Sequence, residues 1–222
     1  MRLSADESHH LVRARRVAVG DEVVLFDGVG TTRLGRLVAT GRDGADVEVL
    51  GPAPDRVPRR EVVVATAWPD GARADDLVAA LAELGVTTVV PLRTARAQED
   101  VGARVDRRRE RYARLAIEAA KVNGRARLLE VAAPAPLATV LASRGDGAGV
   151  LLDTDPALPP LAATLGTARR VVLLVGPEGG FTPAELDEAA RAGFARASLA
   201  RPRCAPRRRP AAAAIALSLP PG

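Results

Sequence analysis

Residues 173–186 read LLVGPEGGFTPAEL: an apolar run, then three glycines, a proline and an acid, then a helix start. The run Arg170-Val171-Val172-Leu173-Leu174-Val175 is short, largely β-branched and closed by glycine, which predicts a buried strand rather than a core helix. Thr182-Pro183-Ala184-Glu185 has the signature of a capping box with proline at the first helical position, and Leu186, Ala189, Ala190 and Phe194 follow at helical spacing. The glycines therefore fall between a strand's carboxyl end and a helix, where open α/β sheets bind ligands. Glycine lets a backbone approach a small molecule closely and hold it with main-chain donors and acceptors.

Outward from this stretch, strands alternate with helices. Val62 to Ala67 predicts a strand, Arg73 to Leu84 a helix with Leu77, Leu81 and Leu84 on one face, and Val86 to Leu92 the next strand. A long charged helix spans Arg104 to Val122, with Tyr112, Leu115 and Ala119 turned inward and Asn123-Gly124 as its stop. Further strands are expected near Leu128–Val131, at Gly149–Asp153 and at Arg170–Val175, with a helical segment running to Leu141. This rhythm implies a mostly parallel sheet covered on both faces.

Before residue 51 the pattern is different. Glu22–Phe26, Arg33–Val38 and Asp46–Leu50 are short runs separated by Asp27-Gly28 and Asp43-Gly44, both hairpin signals, and predict a small antiparallel β domain. Gly51 to Pro58 contains three prolines and reads as the linker.

Composition narrows the functional classes. The single cysteine, Cys204, excludes an internal disulfide framework, and the only histidines, His9 and His10, supply no metal-ligand cluster. No apolar run long enough to cross a membrane appears, and the start lacks a secretory signal, so a cytoplasmic protein is expected. The net charge is +5, but residues 201–222 hold five arginines and no acid, leaving the first 200 residues balanced. Thirty-one of the 32 basic residues are arginine, Lys121 being the exception, and that bias with abundant alanine, glycine and proline points to GC-rich coding. The run Arg107-Arg108-Arg109 is interleaved with Asp106 and Glu110, which suits an exposed helix face. Three Phe, one Tyr and one Trp are too few for a base-stacking platform. Neither a G-x-x-x-x-G-K-[ST] phosphate loop nor a G-x-G-x-x-G fingerprint occurs.

Several further stretches join Gly176-Pro177-Glu178-Gly179-Gly180-Phe181 in a common pattern. They are His9-His10-Leu11-Val12-Arg13-Ala14-Arg15-Arg16-Val17 with Val19-Gly20-Asp21, Leu81-Ala82-Glu83-Leu84-Gly85-Val86, and Glu118-Ala119-Ala120-Lys121-Val122-Asn123-Gly124-Arg125. Together they resemble the SPOUT methyltransferases and, within them, the family that methylates N3 of a uracil in 16S ribosomal RNA using S-adenosylmethionine. The resemblance implies a PUA-like RNA-binding β domain at residues 1–51, a linker at 52–60 and a knotted α/β methyltransferase domain at 61–222. It implies Gly176, Pro177, Glu178, Gly179, Gly180 and Leu199 around S-adenosylmethionine, and Arg13, Arg16, Asn123 and Arg125 toward RNA. Its partners would be 16S rRNA or the small ribosomal subunit and a second copy of the chain, with no membrane. No residue is assigned as acceptor of the uracil N3 proton.

The chain departs from the family in places. The first strand expected before Leu3 is missing, Thr94-Ala95-Arg96-Ala97 replaces the usual "TERS", and Asp70 stands where lysine is common. After a strand resembling Ala197-Ser198-Leu199 the family runs "LGxRxLRxxTA", whereas the corresponding stretch here is Leu199-Ala200-Arg201-Pro202-Arg203-Cys204-Ala205-Pro206-Arg207-Arg208-Arg209-Pro210, poor in donors and in turn-forming freedom. A reading frame shifted relative to the ancestor would explain this segment, and the coding DNA tests it. A degenerate, non-catalytic RNA-binding member that has lost its cofactor pocket is the alternative this segment favours.

Overall fold

The structure is a computed structural model, and it describes the chain apart from residues 42–43, 54–59, 97–99, 178 and 199–222 and the side chains of 13 and 14. It divides into two compact units, Met1–Val57 with Gly124–Arg127, and Pro58–Asn123 with Leu128–Gly222.

In the first unit, β1 (Glu22–Phe26), β2 (Thr32–Gly41) and β3 (Gly44–Pro52) form an antiparallel sheet in that order. The turn signal at Asp27-Gly28 becomes a longer loop, because Asp27 Oδ1 accepts the N–H groups of Val29 (2.9 Å), Gly30 (3.0 Å) and Thr31 (2.9 Å). Asp43, of the other expected turn, lies outside the described residues. One sheet face buries Val23, Leu37, Ala45 and Val47 against Leu3, Leu11, Val12 and Val17. The last three come from or just after α1 (Ala5–His9), which Ser4 caps and which continues as a π-helical turn over His10–Ala14. Residues 1–3 make an isolated bridge to β3: Leu3 N–H donates to Ala45 O (2.9 Å), Val47 N–H to Met1 O (2.8 Å) and the Met1 ammonium to Val47 O (2.7 Å). Residues 1–3 thus lie antiparallel along β3, too few to show an alternating pattern in the sequence. Residues 124–127 also join this unit, where Gly30 N–H donates to Ala126 O (3.1 Å).

The second unit is a fully parallel sheet. Its strands are β4 (Glu61–Thr66), β5 (Thr88–Arg93), β6 (Glu130–Val131), β7 (Ala135–Pro136), β8 (Ala148–Asp153), β9 (Arg170–Val175) and β10 (Phe194–Ser198). The order is β10-β8-β9-β4-β5-β6, with β7 resuming the edge along β5. The helices are α2 (Ala72–Leu84), α3 (Val101–Asn123), α4 (Leu137–Ala142), α5 (Leu161–Leu165) and α6 (Pro183–Arg191). Alternate residues of the strands go to opposite cores. Val62, Val64, Val150, Val171 and Leu173 pack with α2, α3 and α5, while Val63, Ala65, Leu151, Val172 and Leu174 pack with α4 and α6. Burial on both faces is why these strands read as continuous apolar runs.

Some element boundaries moved. Helix α3 begins at Val101 rather than Arg104 because Val101 and Val105 both enter the core. Strand β5 begins at Thr88 rather than Val86, and buried Thr87 just before it adds side-chain bonds to its backbone ones: Oγ1 accepts from Val62 N–H (3.1 Å) and donates to Val62 O (2.8 Å). The strand expected at Leu128–Val131 is only two residues long, and α5 was not expected, being one turn after Pro159-Pro160. The expected knot involves the chain after Ser198 and lies outside the described residues.

Candidate cofactor and RNA sites

The glycine loop sits at the place strand order singles out. From β4 the chain moves through α2 to β5 on one side; from β9, which pairs with β4, it moves through α6 past β8 to β10 on the other. Adjacent strands whose connections diverge leave a crevice at their carboxyl ends, the usual ligand position of an open parallel sheet. Residues 176–182 leave β9 there.

Gly180 has φ +69° and its N–H closes a turn onto Pro177 O (2.9 Å). A Cβ placed on Gly180 would meet nothing within 4 Å, and one on Gly179 would touch only the Arg96 side chain, 3.5 Å away. The backbone of 179–180 is therefore open to close approach on the side a Cβ would occupy. Gly176 works differently, because a Cβ there would lie 3.1 Å from the Phe181 ring. Its hydrogen lets Phe181 fold against the strand end. Gly176, Pro177, Gly179 and Gly180 are thus brought together in one loop, while Glu178 and Leu199 lie outside the described residues.

The loop is held by Glu185. Thr182 Oγ1 accepts from Glu185 N–H (3.3 Å), and Glu185 Oε2 accepts from Thr182 N–H (2.7 Å) and its hydroxyl (3.0 Å), completing the expected capping box. The other oxygen, Oε1, accepts from Ala95 N–H (2.9 Å) in the loop after β5. Beside it, the exposed Arg96 guanidinium donates to Gly179 O. Burial alone raises the Glu185 carboxyl, but the hydrogen bonds from Thr182 and Ala95 and the Arg96 charge outweigh it and hold the group below its usual value. Sequence reasoning saw Glu185 only as a cap and missed Arg96. Along the same edge, burial raises Asp153 at the end of β8, while Arg196 (2.6 Å) and the N–H groups of Asp155 and Thr154 bring it below its usual value.

The residues expected to face RNA divide between the units. Arg13 lies in the π-helical turn, and Arg16, just after it, is exposed and takes φ +56°, a left-handed conformation uncommon outside glycine. Arg125 belongs to the same unit, and burial pushes its guanidinium down from the usual value. Asn123 ends α3 in the other unit, where Nδ2 donates to Ala119 O (2.9 Å) and Gly124 turns with φ +63°. The arginine stripe of α3 is largely matched by acids. Arg104 pairs with Asp70, Arg108 (2.9 Å) and Arg111 (2.6 Å) with buried Asp75, and Arg109 with Asp106 (2.8 Å).

Fold and site together define a parallel α/β protein with a glycine-rich loop at its switch point and a separate antiparallel β unit. Two family models match it: the RNA methyltransferase domain over residues 56–216, and the RNA methyltransferase PUA domain over residues 3–50. The ribosomal RNA small subunit methyltransferase E of Mycobacterium bovis is 32% identical over 199 residues, covering 86% of this chain and 75% of that protein. The Synechocystis sp. protein of the same name is 29% identical over 202 residues, covering 89% and 65%. Among solved structures, a probable rRNA-methyltransferase from Porphyromonas gingivalis matches with TM-score 0.77 and 27% identity over 96% of this chain and 90% of that one. The Neisseria gonorrhoeae small subunit methyltransferase E, solved with S-adenosyl methionine, shares the fold with TM-score 0.80 at 24% identity, over 96% and 89%. The chain belongs to this RNA methyltransferase family, the SPOUT-class 16S ribosomal RNA methyltransferases that its motifs resemble.

Proposed function

We propose that this protein binds S-adenosylmethionine on the glycine loop and methylates N3 of a uracil in 16S ribosomal RNA, in the cytoplasm and as a homodimer. The observation that carries this is the open backbone of Gly179 and Gly180 at the β4–β9 crevice, within a chain that matches the family over residues 56–216. When bound, the cofactor supplies an activated methyl group on a sulfonium. The loop backbone would hold its adenosine part, with Gly176, Pro177, Glu178, Gly179, Gly180 and Leu199 around it. Residues 1–51 would bind RNA through Arg13 and Arg16, with Asn123 at the end of α3 and Arg125 just after it as further contacts. The protein's task is then to align the base nitrogen with the methyl carbon and to exclude water.

Mass spectrometry of nucleosides from 16S rRNA incubated with the protein and isotope-labelled S-adenosylmethionine tests this. Labelled 3-methyluridine is expected; label in another nucleoside would overturn the choice of uracil N3. A second reading, a folded RNA-binding protein without a working pocket, is favoured by the three prolines and five arginines of residues 201–210. It predicts salt-sensitive binding of 16S rRNA with no calorimetric signal for S-adenosylmethionine. Light scattering tests the dimer.

A further inference from the structure

Methyl transfer to a uracil N3 needs that nitrogen without its proton. On the proposed uracil-N3 chemistry, N3 loses its proton to water, and its electron pair takes the methyl group as the carbon–sulfur bond breaks and that bond's electrons return to sulfur. The sheet unit itself carries no histidine, both being in the other unit. Four carboxylates near the strands' carboxyl ends are engaged: Asp70 and Asp75 with arginines of α3, Asp153 with Arg196, and Glu185 with the donors of Thr182 and Ala95. What the crevice does present is a cation. Arg96 is exposed, its guanidinium is on Gly179 O in the glycine loop, and the residue before it is fixed through Ala95 N–H to Glu185. Arg93, three residues earlier, turns instead toward α3 beside Gly102.

We propose that Arg96 is a catalytic residue, its guanidinium pairing with a uracil carbonyl oxygen next to N3 and stabilising the imide anion that accepts the methyl group. A guanidinium carries five donors in a planar fork, so one can remain on Gly179 O while others reach the base. A positive charge at such range lowers an acid's pKa by about 1–3 units. At neutral pH that raises the ionised fraction of the uracil in proportion until the fraction approaches one. Glu185 is the positioning residue: it fixes Ala95, and its charge acts on Arg96 from α6.

The test compares wild type with Arg96→Met and Arg96→Lys in single-turnover methylation of 16S rRNA from neutral to alkaline pH, with calorimetric S-adenosylmethionine binding measured on each. Arg96→Met should lose on the order of 10²–10³ in rate at neutral pH, the cost of removing one charge-stabilising donor. Arg96→Lys should recover part of that loss, and any weakening of cofactor binding in either variant should be much smaller than the loss of rate measured at saturating S-adenosylmethionine. The Met deficit should shrink as pH rises, and also on RNA transcribed with 5-fluorouridine, whose N3 ionises more readily. A deficit constant across pH and substrate, or cofactor binding lost along with rate, would make Arg96 a strut for Gly179 and overturn the proposal. A wild type that makes no 3-methyluridine would instead remove the uracil-N3 reading, and this inference with it.

Discussion

Asp75 and Glu185 are both buried acids near a helix start in the same sheet unit, with 8% and 9% of their surface exposed, yet they are satisfied in opposite ways. Among the described residues, Asp75 accepts from the side chains of Arg108 and Arg111 and joins α2 to α3. Glu185 accepts from two backbone N–H groups and a hydroxyl, and joins the loop after β5 to the glycine loop. Backbone donors are fixed in direction when the acid is removed, whereas half-exposed arginines can turn to water. Burial therefore does not say which acid matters to the ligand; the identity of the donors does.

The largest stability effect is expected from Asp75→Ala. It leaves two guanidiniums beside an apolar helix contact, and because they are partly exposed the cost should be about 2 kcal/mol, below that of breaking a fully buried pair. Urea unfolding measures it, and S-adenosylmethionine affinity of the folded variant should stay within about threefold. A tenfold weaker affinity would erase the contrast between the two acids.

Glu185→Gln should do the reverse. One acceptor oxygen is lost, so unfolding free energy should fall by about 1 kcal/mol, the usual worth of a cap. The glycine loop loses its tie to the β5 loop, and cofactor affinity should fall about tenfold. The Glu185 carboxyl lies below its unfolded value, so its stabilisation is complete above the ordinary glutamate range and fades as pH falls through the depressed folded value. The difference between wild type and Glu185→Gln in urea midpoints should accordingly be full at neutral pH and narrow on acidification. A gap that widens in acid would show that the charge of Glu185 is unfavourable in the fold.

This contrast also marks what the sequence discloses. Strand β9, the glycines and the capping box are consecutive, so Thr182, Pro183 and Glu185 could be read directly. Arg96 could not, because its contact with Gly179 spans 83 residues and the Ala95–Glu185 bond spans 90. Residues 124–127 joined the small unit for the same reason: Asn123-Gly124 announces a helix stop, but nothing local says that Ala126 will accept from Gly30. The stretch after β10 stays illegible as a ligand loop. With CGN arginine codons, Arg203 to Arg209 read one base earlier give Leu, Val or Met, then Arg or Cys, then residues drawn from Ala, Ser, Pro and Thr. That set contains Leu-Arg-x-x-Thr-Ala, so the shifted-frame explanation is compatible with the genetic code, and sequencing the DNA across codon 200 decides it.

Asp27 gives the smallest and sharpest case, because it is bonded like Glu185 but stands in water. Hydrogen bonds from the Thr31 hydroxyl and then the Val29 N–H, with further N–H groups of the loop, hold its carboxyl down to about 2. Its contribution is therefore present above the ordinary aspartate value and lost only as pH falls toward about 2. Water can replace these bonds, so Asp27→Asn should loosen the loop between β1 and β2 without measurable loss of global stability. In amide NMR spectra, Val29, Gly30 and Thr31 should keep their neutral-pH positions down to about pH 3, below an ordinary aspartate midpoint. If they shift near pH 4 instead, about where a free aspartate titrates, the three N–H bonds do not hold in solution. Backbone donors would then secure a carboxylate only where burial, as at Glu185, excludes the competing water.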